Sequence, residues 1–376
     1  MKWCKSFFFV FCFVFASSGF AEPPKLDDLK KLMLFLKDEI FNKGKYGAWR
    51  KWAKQNSYVS IGENLSWSDY ICQRWNFTEE TLTLEKCNEA LQLFRRKQGI
   101  KRWDKGGLSF IGEQEKLTKL LDDVGVRAEI SHTAVDGAEY NWAIIPGGAL
   151  FRVESRINCL SELYNNKHVD KFIIVGTDRV LSEMDNKYVL LSAMSNLKAR
   201  QKIPYDLVEE HINTEMDGMF FMAMLMLQPD FNFNFCSNFY FMLSNSIACW
   251  ENKALLDAVK ELRKKSCLSV SNRLANKMTM EISYAQGRDG NRATTKDSVA
   301  AICNDNPDIV TKKLALLSTQ PHAHYQEEIF KKEFNKVNDM EGVDITVFAL
   351  PIDDRILLIE QLNALHQWLQ ESLSSS

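Results

Sequence analysis

Trp142-Ala143-Ile144-Ile145-Pro146-Gly147-Gly148 is a short apolar run that stops at a proline and two glycines. A helical pattern follows from about Leu150 to Tyr164. Lys171-Phe172-Ile173-Ile174-Val175 then repeats the apolar run and stops at Gly176-Thr177-Asp178. Runs of this length, bounded by glycines and separated by helical periodicity, read as βαβ units and a parallel sheet. The same alternation returns downstream. Met278 to Ser283 and Leu314 to Leu317 read as strands, with a helix between them from Thr295 to Cys303. Residues 322–335 read as helix, 343–349 as extended, and 354–373 as helix with Leu358, Leu362, Leu365 and Leu369 on one stripe. Helices are also expected around 185–200 and 214–227. Residues 229–275 fit the pattern poorly, and Phe231 to Phe235 alternates without a clear place in the sheet.

Upstream of this block the texture is helical. Leu29, Leu32, Met33, Leu36 and Ile40 recur at three- and four-residue spacing, and residues 64–125 read mostly as helix with polar turns. The expected organisation is a helical region over 22–135 and an α/β domain over 136–376, with an insertion near 228–277. The expected fold is α/β: a Rossmann-like, mainly parallel sheet flanked by helices.

The chain has 376 residues, 47 lysines and arginines, and 49 aspartates and glutamates, for a formal charge of −2. That balance lacks the basic footprint of a nucleic-acid binder. The first residues carry a different message. Lys2 and Lys5 precede the apolar run Ser6 to Phe15, and Gly19-Phe20-Ala21 fits a small-x-small cleavage site before Glu22-Pro23-Pro24. This is the pattern of a secretory signal peptide over 1–21, and the expected destination is the periplasm or the exterior. Cleavage there would move the formal charge to −4. No apolar stretch beyond it is long enough to span a bilayer. Seven cysteines lie beyond the leader, an odd number in an oxidising compartment. Cys72 and Cys87 are spaced to close a short loop, with buried unpaired thiols as the other reading.

In open parallel sheets, ligands gather outside the carboxyl ends of the strands. That rule selects the candidate residues. Gly147 and Gly148 admit close approach of an anionic group to backbone N–H groups, or simply form a tight turn. Arg152 and Arg156 share a helix face and either clamp an anion or make structural ion pairs. Thr177 and Asp178 follow the second strand, where a carboxylate binds a ribose hydroxyl, acts as a base or caps a helix. Asn291, Arg292, Thr294 and Thr295 open a helix; Thr294 or Thr295 would cap it, completed by Asp297 or Ser298. Gln320, His322 and His324 follow a later strand. His322 is the candidate acid–base or hydrogen-bonding group. On a loop both histidines could face a pocket; in an extended segment only one would. The catalytic candidates are therefore His322 and Asp178. The ligand-binding candidates are Gly147, Gly148, Arg152, Thr177, Asn291, Thr295 and Gln320. No metal-ligand spacing, C-x-x-C, G-x-S-x-G, G-x-G-x-x-G or phosphate-loop motif is present. No cofactor is specified.

Four pieces in order resemble the YdcF/SanA/ElyC-like domain of bacterial envelope proteins over about 142–350. They are Pro146-Gly147-Gly148 with Arg152, Arg156 and Leu163-Tyr164; Phe172 to Gly176 with Ser182-Glu183; Asn291 to Ser298; and Leu316 to His322 with Tyr325-Gln326. The second strand departs from the family in ending Gly176-Thr177-Asp178. The third motif carries Lys296 and Asp297 where an acid and an amide are typical. Asn213-Thr214-Glu215 is a rival for that third motif but reads as too far from His322. The resemblance implies a Rossmann-like fold, an envelope location and a link to envelope upkeep; the strand-end residues add the expectation of a small anionic or nucleotide-like ligand. The alternative is an exported interaction protein that binds an envelope protein partner through its helical region. There the cluster Arg95, Arg96, Lys97, Lys101, Arg102 and Lys105 around Trp103 is either a contact surface or a solvated face. Trp49, Trp52, Trp67 and Trp75 are either sugar-stacking or packing residues.

Overall fold

The computed structural model describes residues 23–41, 44–56, 66–95, 108, 110–127, 138–166, 168–169, 171–177, 179–181, 214–227, 234–235, 270–273, 279–285, 287, 293–338, 343–351 and 357–374. The leader, the helix expected at 185–200, Ser182, Glu183, Asp178, Asn291, Arg292, most of the basic cluster and most of the insertion lie outside them.

The apolar runs form strands. β1 (Trp142–Pro146), β2 (Lys171–Thr177), β5 (Thr279–Ala285), β6 (Leu314–Thr319) and β7 (Ile345–Leu350) pair in parallel. Two short strands, β3 (Asn234–Phe235) and β4 (Val270–Arg273), join antiparallel at the edge beside β5. The spatial order is β3-β4-β5-β2-β1-β6-β7. Register places Ile144 between Ile173 and Leu316, and Leu316 beside Val347. β1 and β6 are buried along their whole length. Burial on both faces is why they read as continuous apolar runs instead of alternating ones.

The helices of this half are α6 (Leu150–Asn165), α7 (Glu215–Leu227), α8 (Thr295–Asp305), α9 (Ala323–Asn338) and α10 (Leu358–Leu373). α6 and α7 pack together against β1 and β2, while α8 and α9 bury the other sheet face with Val299, Ile302, Phe330 and Phe334. Close approach of α7 depends on two glycines. A side chain on Gly176 of β2 would meet the Met216 Cα at 3.2 Å, and one on Gly218 would meet Leu150 at 2.7 Å.

The chain leaves β1 through α6 towards β2 and later returns from β5 through α8 to β6, on the other side of β1. Right-handed crossovers running in opposite directions need helices on opposite faces, as found here. The strand order therefore reverses between β1 and β6, and the loops after those strands part there.

The helical region holds α1 (Leu26–Phe41), α2 (Tyr46–Asn56), α3 (Trp67–Trp75), α4 (Leu84–Leu91) and α5 (Gln114–Asp123). Its core includes Leu32, Leu36, Phe94 and Leu117, and it is completed by Leu362, Leu365, Trp368 and Leu369 of α10. The leucine stripe of α10 thus faces the N-terminal helices. Trp49, Trp52 and Trp75 are buried, with Trp49 edge-on to Trp52 and Phe94. Those three tryptophans pack the interior and form no sugar-stacking face; the Trp67 side chain is outside the described set. Cys72, Cys87 and Cys303 are free thiols, so the short loop that Cys72 and Cys87 are spaced to close is not closed: Cys87 is buried in the helical core and Cys72 is exposed. Among the described residues, no helix is long and apolar enough to cross a membrane.

Candidate functional site

Where the strand order reverses, a cleft of about 370 Å³ opens at the carboxyl ends of the strands. Its walls include Gly147, Gly148, Arg152, Thr177, Thr295 and His322 from the sequence-selected set. They come from the end of β1, the first turns of α6, the end of β2, the start of α8 and the loop after β6. Thr294 caps α8: its N–H and hydroxyl donate to Asp297 Oδ2 at 2.8 and 2.7 Å, and its hydroxyl oxygen accepts from the Asp297 N–H. Capping and cleft lining coexist, because both Thr294 and Thr295 border the cavity.

The arginines are held tightly. Arg156 is almost fully buried and donates to the Pro146 carbonyl, to the Gly147 carbonyl at 3.2 Å and to Thr319 Oγ1 at 2.9 Å. It ties the end of β1 to the end of β6 across the switch point. Arg152 donates to Glu360 Oε1 at 2.9 Å, with both side chains largely buried. Both arginines line the cleft as parts of its frame, so the structural ion pair is the reading found for Arg152.

His322 Nε2 lies 3.1 Å from the same Glu360 oxygen. His324 faces elsewhere and stacks on Trp368 with ring centroids 4.1 Å apart. Only one of the two histidines reaches the cleft. Gln320 does not line it: its Nε2 donates to the Gly125 carbonyl at 3.3 Å, tying the β6 loop to the helical region. Ser318 donates to Gln326 Oε1 at 2.5 Å in the buried floor.

Sequence reasoning missed Glu215. It opens α7, is 3% exposed at the side chain and lines the cleft with His322. The expectation that Asn213-Thr214-Glu215 sits too far from His322 is therefore corrected for Glu215, because the α7 start folds back to the end of β2; Asn213 lies outside the described residues. Thr177 Oγ1 donates to Glu215 Oε2 at 2.6 Å, and Arg179 donates to Glu215 Oε1 at 3.3 Å and to the Gly148 carbonyl at 3.1 Å. A side chain at Gly147 would meet the Glu215 carboxylate at 3.2 Å, so glycine is what lets β1 end against that acid. Glu360 and Gln367, both from α10, were also unforeseen; Gln367 lines the cleft and Glu360 holds Arg152 and His322.

Tyr325 and Gln326, at the start of α9, complete the wall. Burial pushes the Tyr325 phenol up to about 12, helped by Glu371 and opposed by a hydrogen bond with Thr295. It stays a neutral hydrogen-bonding group at any working pH. Among the described residues, no cluster of acids, histidines and cysteines is placed to hold a metal ion.

No protein-family model matches the chain, and no curated protein or solved structure matches it.

Proposed function

We propose that the chain is an exported bacterial protein with a YdcF/SanA/ElyC-like domain that binds a small anionic or nucleotide-like ligand in cell-envelope upkeep. One observation carries the binding reading: six residues chosen as strand-end candidates, Gly147, Gly148, Arg152, Thr177, Thr295 and His322, border one cleft at the switch point of the sheet. Open α/β sheets place their ligands there. Donors suited to an anion border the cleft, the His322 ring and the opening turn of α8, and the two framing guanidiniums place positive charge behind them. His322, oriented by Glu360, is the group available for acid–base work. The apolar leader over 1–21 supports export, and the order of the motifs supports the family.

A thermal-shift panel of nucleotides, sugar phosphates, lipid-linked sugar head groups and cell-wall fragments tests the binding reading. A ligand at a hundred times its dissociation constant stabilises the native state by about 2.7 kcal/mol. The expected result is a hit that His322→Asn weakens while the unliganded protein unfolds as before. Hits that survive His322→Asn unchanged would move the site away from this cleft. Amino-terminal sequencing of the protein expressed in a bacterium tests export: a mature chain beginning at Glu22 is expected, and retention of Met1 would contradict it.

A further inference from the structure

The cleft is two-sided. Guanidiniums, an imidazole and a helix start line part of it, and among the described residues Glu215 is the carboxylate that lines it. The geometry points to Glu215 as a ligand-contacting residue that accepts hydrogen bonds from hydroxyl groups, so that the ligand is a phosphorylated polyol and not a bare anion. This rests on the anion-binding reading above and adds the second half of the ligand.

An ionised carboxylate offers about four acceptor sites. Among the described residues, Glu215 receives the Thr177 hydroxyl on one oxygen and the Arg179 guanidinium on the other. Acceptor capacity therefore remains on a side chain that borders the cavity. Thr177 Oγ1 is itself fixed, accepting from the Arg179 N–H at 3.1 Å while it donates to Glu215, so the carboxylate is held in one orientation. Gly147 presses on it from the β1 side. A phosphate oxygen brought to this carboxylate would be repelled. The ligand must present a donor instead. An ammonium would meet the Arg179 cation, 3.3 Å from the acid and already offsetting its charge. A neutral hydroxyl meets no such opposition. The anion belongs on the other side of the cleft.

Calorimetric titration of the full-length chain with inorganic phosphate, ribose 5-phosphate and O-phosphoethanolamine separates the possibilities. Ribose 5-phosphate is expected to bind at least about tenfold tighter than either of the others, a difference of about 1.4 kcal/mol. Glu215→Gln should erase that preference and leave phosphate binding in place. Should Glu215→Gln fail to fold, Gly147→Ala, whose new methyl presses on the carboxylate, should reduce the preference in the same direction. Equal affinities for phosphate and ribose 5-phosphate would overturn the role of Glu215 while sparing the anion site. A preference that survives Glu215→Gln would place the hydroxyl contacts elsewhere, and tighter binding of O-phosphoethanolamine would make the second group an ammonium. No binding of any probe would remove the anion site and this inference with it.

Discussion

Glu360, on the last helix, holds His322 by a 3.1 Å contact to Nε2 at the mouth of the cleft after β6. The same carboxylate oxygen takes the Arg152 guanidinium at 2.9 Å. One acid thus fixes an imidazole and a guanidinium that come from opposite sides of the switch point, and it does so from an element whose apolar stripe lies in the N-terminal core. Removing one member of a buried pair leaves the other charge uncompensated, which costs about 3–5 kcal/mol. Glu360→Ala should therefore destabilise the protein by about 3 kcal/mol in urea or guanidinium unfolding, and Glu360→Gln by less. Losses under about 0.5 kcal/mol in Glu360→Ala would mean that Arg152 is satisfied without it.

α10 also carries a pH-sensitive group. Burial, with the Arg95 charge adding, lowers the His366 ring to about 4 from an ordinary 6.5. The folded state thus binds fewer protons than the unfolded state between these values, so stability from His366 is full above about 6.5 and is lost as pH falls towards 4. At one pKa unit per about 1.4 kcal/mol, the loss is up to about 3 kcal/mol. Glu328 works in the opposite sense. Burial, with Glu327 adding and Lys331 opposing, raises its carboxyl from 4.5 to about 7, so its contribution is present below about 4.5 and is lost as pH rises through 7. Stability–pH curves should show His366→Phe gaining on the wild type between pH 7.5 and 4.5, and Glu328→Gln gaining between pH 5 and 8. Parallel curves for either variant would contradict the assignment.

Tight packing of α7 on β2 has a measurable consequence. A methyl at Gly176 would lie 3.0 Å from Met219 Sδ and 3.2 Å from the Met216 Cα. Sulfur at the end of a flexible chain can move; a backbone carbon cannot without shifting the helix that carries Glu215. Overpacking of this kind costs about 1–3 kcal/mol. Gly176→Ala should lower the unfolding midpoint accordingly and weaken ligand binding with it. An unchanged midpoint would show that α7 sits less closely on β2.

Thiol reactivity separates the described cysteines. Burial pushes Cys87 and Cys303 up to about 12, so almost none of either is the reactive thiolate at neutral pH. Cys72 is exposed. Iodoacetamide labelling followed by peptide mapping should modify Cys72 in the native protein and reach Cys87 and Cys303 only after unfolding. A Cys72–Cys87 disulfide peptide would contradict the free thiols.

Much of the sheet is legible because fully buried strands leave unbroken apolar runs. Ile144, Ile173 and Leu316, neighbours in register, each stand at the centre of such a run. β4 left no such trace. Val270-Ser271-Asn272-Arg273 is short and polar, and its antiparallel pairing with β5 depends on a partner and not on its own composition. The strand-end rule located Gly147, Thr177, Thr295 and His322 because each ends or follows a strand or opens a helix. It gave no access to Glu360, whose role depends on how α10 packs, nor to Glu215, whose distance in sequence from His322 concealed that both border one cavity. Gln320 obeyed the rule by position but turned to the Gly125 carbonyl of the helical region, a partner far away in sequence.

Amide hydrogen exchange with and without ribose 5-phosphate tests the central claim most directly. Slowed exchange at Gly147 and Gly148 and in the first turn of α8 from Thr295, with little change across residues 26–123, is the predicted result. Protection confined to the N-terminal helices, or none at any amide bordering the cleft, would contradict a ligand site at the β1–β6 switch point.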